Sequence, residues 1–211
     1  ARLAFLEAGG LFAVANLRGG AEYGQEWHRA GMLGNKQNVF DDFIACAEHL
    51  IAEGLTSAGH LGILGGSNGG LLVAAVELQR PDLFGAVVPM VPVTDMLRYH
   101  LFTAGRYWTP EYGNAEENAE HFEFLIRYSP IHTVTEGMVY PPTLVTTADT
   151  DDRVVPMHAY KFAATMQAKA DPSSPIFLRV ETRAGHGLGK PTSKMIEEAA
   201  DVYGFFLHHL A

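Results

Sequence analysis

The sequence predicts an α/β fold in which a mostly parallel sheet carries helices on both faces. Three observations predict it. Short, nearly continuous apolar runs recur along the chain, as suits strands buried on both faces. Longer stretches with helical spacing separate them, and this alternation is the signature of βαβ units. At 211 residues the chain fits one domain, residues 1–211, large enough to bury about 70% of the surface its unfolded form exposes.

Taken in order, "LFAVANL" (11–17) reads as the first strand. "NVFDDFIACAEHLIAEG" (38–54) reads as the first long helix, with Asn38, Asp41 and Asp42 as its cap and acidic first turn and Gly54 as its stop. The strand "HLGIL" (60–64) runs almost directly into the helix "NGGLLVAAVELQRPDLF" (68–84), and "GAVVPMVPV" (85–93) follows as a third strand. Residues 94–140, rich in aromatics and broken by Pro110, Gly113, Pro130 and Gly137, predict short helices and loops over the sheet edge where ligands usually bind. The alternation then resumes with strand "PPTLVTTA" (141–148), helix "MHAYKFAATMQAKA" (157–170), strand "PIFLRVET" (175–182) and helix "SKMIEEAADVYGFFLHHLA" (193–211).

Composition narrows the function classes. With 47% hydrophobic and 18% charged residues, the chain is an ordinary globular one. Its net charge of -9 comes without any basic block that could follow a phosphate backbone, so nucleic acid is not an expected partner. No apolar run approaches the ~20 residues that span a bilayer, so no membrane partner is expected either. The single cysteine, Cys46, leaves no internal disulfide and no cysteine-rich metal site, and it reads as core packing on the first helix. The first residue is Ala1, which leads us to expect a processed product or a piece of a longer protein.

The chemistry begins at "LGILGGSNGGLLVAA" (61–75), where Ser67 stands among four glycines between a strand and a helix. Gly65-Gly66-Ser67-Asn68-Gly69 fits the G-x-S-x-G nucleophile elbow, a sharp strand-to-helix turn that exposes a serine hydroxyl at a helix N-terminus, where negative charge is favoured. Five residues alone would be weak, since a glycine-rich packing turn has the same letters; the flanking strand and helix supply the context. A phosphate loop is the sharper competitor. No Lys-Ser or Lys-Thr pair follows this turn, and in "AGHGLGKPTS" Ala184 and Pro191 stand where a glycine and a hydroxyl are needed.

A serine nucleophile needs a base, and the base an orienting acid. In α/β-hydrolases these come in the order Ser, Asp or Glu, His, each from a loop after a later strand. "ADTDDRVVP" (148–156) and "TRAGHGLG" (182–189) lie directly after two such strands. Of the ten histidines, His186 alone combines the order, the strand-end position and flanking glycines. His49 and His158 fall in helices, and His208 and His209 close the chain. Asp149, Asp151 and Asp152 all compete as the acid.

"NLRGGAEYG", "KQNVFDDF", "GGSNGGLLVAA", "ADTDDRVVP" and "AGHGLGKPT" together resemble the catalytic domain of the prolyl oligopeptidase family over essentially the whole chain. Asn68 after the serine is similar to the prolyl branch and unlike the oligopeptidase B, acylaminoacyl peptidase and dipeptidyl peptidase relatives. The resemblance implies an α/β-hydrolase fold, incomplete at its N-terminal side, with Ser67 as nucleophile, His186 as base and Asp151 as the acid that orients it. It further implies Asn68 as an oxyanion donor through its backbone N–H, Arg153 as a hydrogen-bond donor to the peptide carbonyl before the proline, and an apolar slot built from Trp108, Tyr112, Val93 and Val154. On spacing alone, Trp108 and Tyr112 read as a buried aromatic pair.

The implied substrates are short proline-containing peptides, with no metal and no cofactor. A β-propeller domain of the same parent chain is an implied partner, and a Tyr-Gly-Gly-Phe motif whose tyrosine is the second oxyanion donor is missing, with Tyr23 as a distant substitute. The expected compartment is the cytoplasm, with the periplasm or secretion as alternatives. Rival readings are another hydrolase of the same superfamily, an oligopeptidase, aminopeptidase or esterase, and a non-catalytic fragment.

Overall fold

The apolar runs at 60–64, 85–93, 141–148 and 175–182 form parallel strands, each a residue or more shifted or shorter than its run. The computed structural model describes residues 2–187 and 189–211. Its elements in chain order are α1 (Arg2–Glu7), α2 (Gln25–Arg29), α3 (Gln37–Ala52), β1 (Gly62–Gly66), α4 (Asn68–Gln79), β2 (Ala86–Met90), α5 (Thr109–Tyr112), α6 (Ala119–Tyr128), α7 (Pro130–Thr133), β3 (Thr143–Ala148), α8 (Met157–Lys169), β4 (Ile176–Glu181) and α9 (Thr192–Leu210), with short 3-10 turns between them.

The sheet order is β1-β2-β3-β4, every neighbouring pair parallel. Side chains alternate through it. Ile63, Val87 and Val145 pack against α3, α4 and α8 on one face, while Ala86, Val88 and Leu144 meet Val202 and Phe206 of α9 on the other. Helices therefore lie on both faces, as expected for an α/β fold. All the strands run the same way, so the loops that follow them gather at one end of the sheet.

Two expectations fail. "LFAVANL" (11–17) is not a strand: among the described residues it pairs with no other strand, and Leu11 and Val14 are 73% and 74% exposed. Apolar patterning reports where side chains would like to go, but a strand also needs a neighbour for its backbone groups. Asn38, Asp41 and Asp42 do not cap α3 either. The helix starts at Gln37 without a side-chain cap, Asn38 Nδ2 donates to the Ala30 carbonyl at 2.8 Å, and Asp42 pairs with Arg18 across 24 residues of sequence. Gly54 does stop α3, at a φ of +70° that suits glycine.

Helix α4, packed against α3, α7 and the sheet, buries Glu77 completely. Thr143 donates its hydroxyl to Glu77 Oε1, whereas Oε2 has no hydrogen-bond partner among the described residues. Burial pushes this carboxyl up to about 8, against a smaller opposing effect of the Thr143 bond. The folded state then holds a proton that the unfolded chain releases above about 4.3. Stability contributed by this group is full below that pH and is lost as pH rises toward 8, at about 1.4 kcal/mol per pH unit at most. Glu77→Gln is expected to flatten the dependence of the urea midpoint on pH between 5 and 8. Parallel profiles for wild type and variant would count against it.

Candidate active site

Ser67 occupies the corner between β1 and α4 with φ 58° and ψ −114°. That positive φ strains any residue with a Cβ, by roughly 1–3 kcal/mol. The corner is held by its neighbours. Ser67 N–H donates to the Met90 carbonyl at 2.9 Å, the Ser67 carbonyl accepts from Leu71 N–H at 3.1 Å, and a Cβ on Gly65 would collide with the Gly69 backbone. Glycine at 65 thus permits the tight return that lifts the serine above the strand end. Asn68 is the first residue of α4, so its N–H has no carbonyl within the helix to receive it.

Asp151 follows β3 and His186 follows β4. His186 Nδ1 lies 2.6 Å from Asp151 Oδ2, and the carboxylate side chain is fully buried while the imidazole keeps 20% of its surface. The other oxygen of Asp151 accepts the backbone N–H groups of Arg153 and Val154, both at 2.9 Å. With both oxygens occupied, the carboxylate has one orientation. Of the three competing acids, the structure brings Asp151 to the histidine. Asp149 is engaged elsewhere. Its Oδ1 accepts Ala184 N–H at 3.4 Å, and backbone bonds from Arg183 and Ala184 hold its carboxyl below the usual range. Thr150 adds a 2.7 Å bond from its hydroxyl to the Ala184 carbonyl, so this turn ties down the loop that carries His186. Asp152 is exposed. Ser67 Oγ makes no hydrogen bond to His186 in this structure; such bonds often close only when substrate is present.

Val93, Tyr112 and Val154 are buried in one apolar cluster, and half-buried Trp108 packs against it. Trp108 stacks on Tyr99 with ring centres 6.3 Å apart and planes 8° from parallel, and Tyr112 meets the Tyr99 edge at 5.3 Å. Tyr99, which spacing did not single out, thus touches both predicted aromatics, and Val93 and Val154 belong to the same core cluster. Arg153 is exposed beside Asp151. Tyr23 is exposed and packs edge-on against Trp27. A cavity of about 190 Å³ opens beside Asn68 and Gly69, lined also by Arg18, Gly19, Gly20 and Lys36.

Sequence reasoning also missed Lys36. It is 2% exposed, its ammonium lies 3.4 Å from Asn68 Oδ1 and 3.9 Å from Glu111 Oε1, and it sits 5.2 Å from the centre of the Tyr112 ring. Burial pulls its ammonium down, and Glu111 partly restores it. Within "KQNVFDDF" a lysine just before an apolar helix reads as solvated, so nothing local betrayed it.

A parallel sheet covered on both faces, with a strained serine at one strand end and a carboxylate-bound histidine at another, defines an α/β-hydrolase. The model of the prolyl oligopeptidase family matches residues 1–211, and the chain belongs to that family. It is 50% identical over 206 residues to the prolyl endopeptidase of Elizabethkingia meningoseptica, covering 98% of this chain and 29% of that protein. With the prolyl endopeptidase of Dictyostelium discoideum it shares 49% identity over 202 residues, 93% of this chain and 26% of the other. A solved prolyl endopeptidase superposes with a TM-score of 0.86 at 54% identity, over 92% of this chain and 27% of that one. Prolyl oligopeptidase B from Galerina marginata, a mutant bound to a 35-residue hydrolysis and macrocyclization substrate, reaches a TM-score of 0.94 at 43% identity, over 98% and 29%. The chain spans about 29% of the length of the first relatives it matches. Among the described residues no helix is long and apolar enough to cross a membrane.

Proposed function

We propose that this chain carries the catalytic centre of a serine endopeptidase that cleaves short peptides on the carboxyl side of proline. The observation that carries the reading is the His186–Asp151 pair at 2.6 Å, placed at the same end of the sheet as the strained Ser67. In the proposed cycle His186 Nε2 takes the Ser67 hydroxyl proton as Oγ bonds to the carbonyl carbon, and Asp151 stabilises the imidazolium. The tetrahedral oxyanion is met by the Asn68 backbone N–H. As it collapses the C–N bond breaks, His186 returns the proton to the leaving amine, and an ester on Ser67 remains. Water, deprotonated by His186, then hydrolyses that ester and restores the enzyme.

The proline ring is assigned to the slot of Trp108, Tyr112, Val93 and Val154, since a flat rigid ring loses little entropy against an indole face. Arg153, charged and exposed beside the acid turn, is assigned the substrate carbonyl before the proline. The second oxyanion donor is assigned to a segment outside this chain that enters through the cavity beside Asn68 and Gly69. A β-propeller in the same parent protein and a cytoplasmic location complete the proposal, the former supported by relatives more than three times as long as this chain.

Substrate comparison tests it. In the intact natural protein, Trp108→Ala is expected to lower kcat/KM for a proline peptide by a factor corresponding to roughly 1–3 kcal/mol, while hydrolysis of a small activated ester, which needs no ring slot, is nearly retained. Equal losses on both substrates would assign Trp108 to the fold. A preference for an alanine amide over a proline amide in the wild type would remove the prolyl reading.

A further inference from the structure

Asn68 has a backbone N–H suited to an oxyanion, yet its side chain is the better-anchored part. Asn68 Oδ1 accepts the Tyr112 hydroxyl at 2.7 Å and the Lys36 ammonium at 3.4 Å. Both donors come from outside α4, one from the aromatic slot and one from the turn before α3. Neither of these bonds ties the side chain to its own helix. An ammonium has three donors and no acceptor, so Lys36 also decides which way the amide faces.

The cost of this arrangement argues for a use. Burying an ammonium is expensive unless it is paired and hydrogen-bonded, and Lys36 has one carboxylate nearby, Glu111, at 3.9 Å. The other Glu111 oxygen lies 2.9 Å from His28 Nε2, so the counter-ion is itself held from the far side. The Tyr112 ring face lies 5.2 Å from the cation, and burial keeps the Tyr112 hydroxyl protonated, hence a donor, at any ordinary pH. Lys36, Tyr112 and Glu111 thus form one network that ends on the residue next to Ser67.

We propose that Lys36 is a positioning residue, which together with the Tyr112 hydroxyl pins Asn68 Oδ1 and so sets the direction of the Asn68 backbone N–H toward the oxyanion. The inference rests on the acyl-transfer reading above and adds to it that one wall of the ring slot and the oxyanion donor are parts of one hydrogen-bonded unit. A loosened Asn68 would bind substrate in its ground state as before and lose the transition state.

The test uses the intact natural protein, with Lys36→Met, Lys36→Arg, Tyr112→Phe and the Lys36→Met/Tyr112→Phe double variant. Three quantities are read: kcat and KM on a proline peptide, affinity for a peptide aldehyde that forms a hemiacetal with the serine, and affinity for the matching unreactive peptide amide. Lys36→Met is expected to lower kcat about 10- to 100-fold with KM little changed, and to weaken the aldehyde by the same factor while the amide binds as before. Lys36→Arg should recover part of the loss. The double variant should lose less than the product of the single losses, because both changes free the same oxygen. Equal weakening of aldehyde and amide, an unchanged kcat, or multiplicative losses would overturn the proposal. Should Lys36→Met fail to fold, the aldehyde-to-amide ratio in Tyr112→Phe decides alone, an unchanged ratio overturning it. A wild type without covalent labelling at Ser67 would instead overturn the acyl-transfer reading.

Discussion

Replacing Ser67 by alanine is expected to abolish both peptide turnover and covalent labelling by a serine-directed phosphonate, and His186→Ala to do the same. A serine hydroxyl is a poor nucleophile near neutral pH and becomes useful only while a base takes its proton. The two side chains therefore act as a unit, and losing either costs nearly what losing both would, about 10⁶-fold in kcat. The backbone geometry makes Ser67→Ala a clean experiment. Alanine at φ 58° is strained to the same degree as serine, so the variant neither relaxes the corner nor adds to its strain. Melting temperature should therefore be unchanged while activity disappears. The check is active-site titration beside steady-state kinetics on one proline peptide in the intact natural protein; either variant keeping a tenth of the activity would remove the residue from the centre.

That serine was legible because three local signals agree there: a run of strand, a run of helix and glycines where backbones must approach. Strands β2 and β3 were legible for a related reason, since a strand covered on both faces shows as an unbroken apolar run, as at Ala86–Met90 and Thr143–Ala148, whereas β4 carries such a run with Phe177, Leu178 and Val180 partly exposed. The same signal misled at residues 11–17, where the side chains fit a strand but no partner strand lies alongside among the described residues. Side-chain pattern carries no information about who supplies the hydrogen bonds. Capping chemistry failed at Asn38 and Asp42 because each found a tertiary partner, Ala30 and Arg18, that outcompetes the helix end. The Lys36 network was illegible on principle. It joins residues from 28 to 112, with His28 and Glu111 83 positions apart, and Lys36, His28 and Glu111 each have an ordinary surface reading alone.

Choosing among Asp149, Asp151 and Asp152 was beyond spacing as well, for neighbours of the same type give no periodicity to weigh, and the structure turns that choice into a ranked prediction. Asp151→Asn is expected to lower kcat about 10⁴-fold without unfolding the protein. The size follows from hydrogen-bond direction. Asp151 Oδ1 receives two backbone N–H groups, from Arg153 and Val154, and only an oxygen can take that place. The amide of the variant must therefore keep its oxygen there and turn its NH₂ toward His186 Nδ1. Facing a donor, Nδ1 becomes the acceptor and the imidazole carries its proton on Nε2, so the ring presents a hydrogen to Ser67 where a lone pair is needed. Asp149→Asn retains the oxygen that accepts Ala184 N–H, and its exposed position makes the lost charge a small matter, so a loss below about 10-fold is expected. Asp152→Asn, exposed and away from the histidine, should fall within about 2-fold of wild type. Measuring kcat for all three at fixed pH, with melting temperatures alongside, gives the ranking; a larger loss at Asp149 or Asp152 than at Asp151 would show that another carboxylate orients His186.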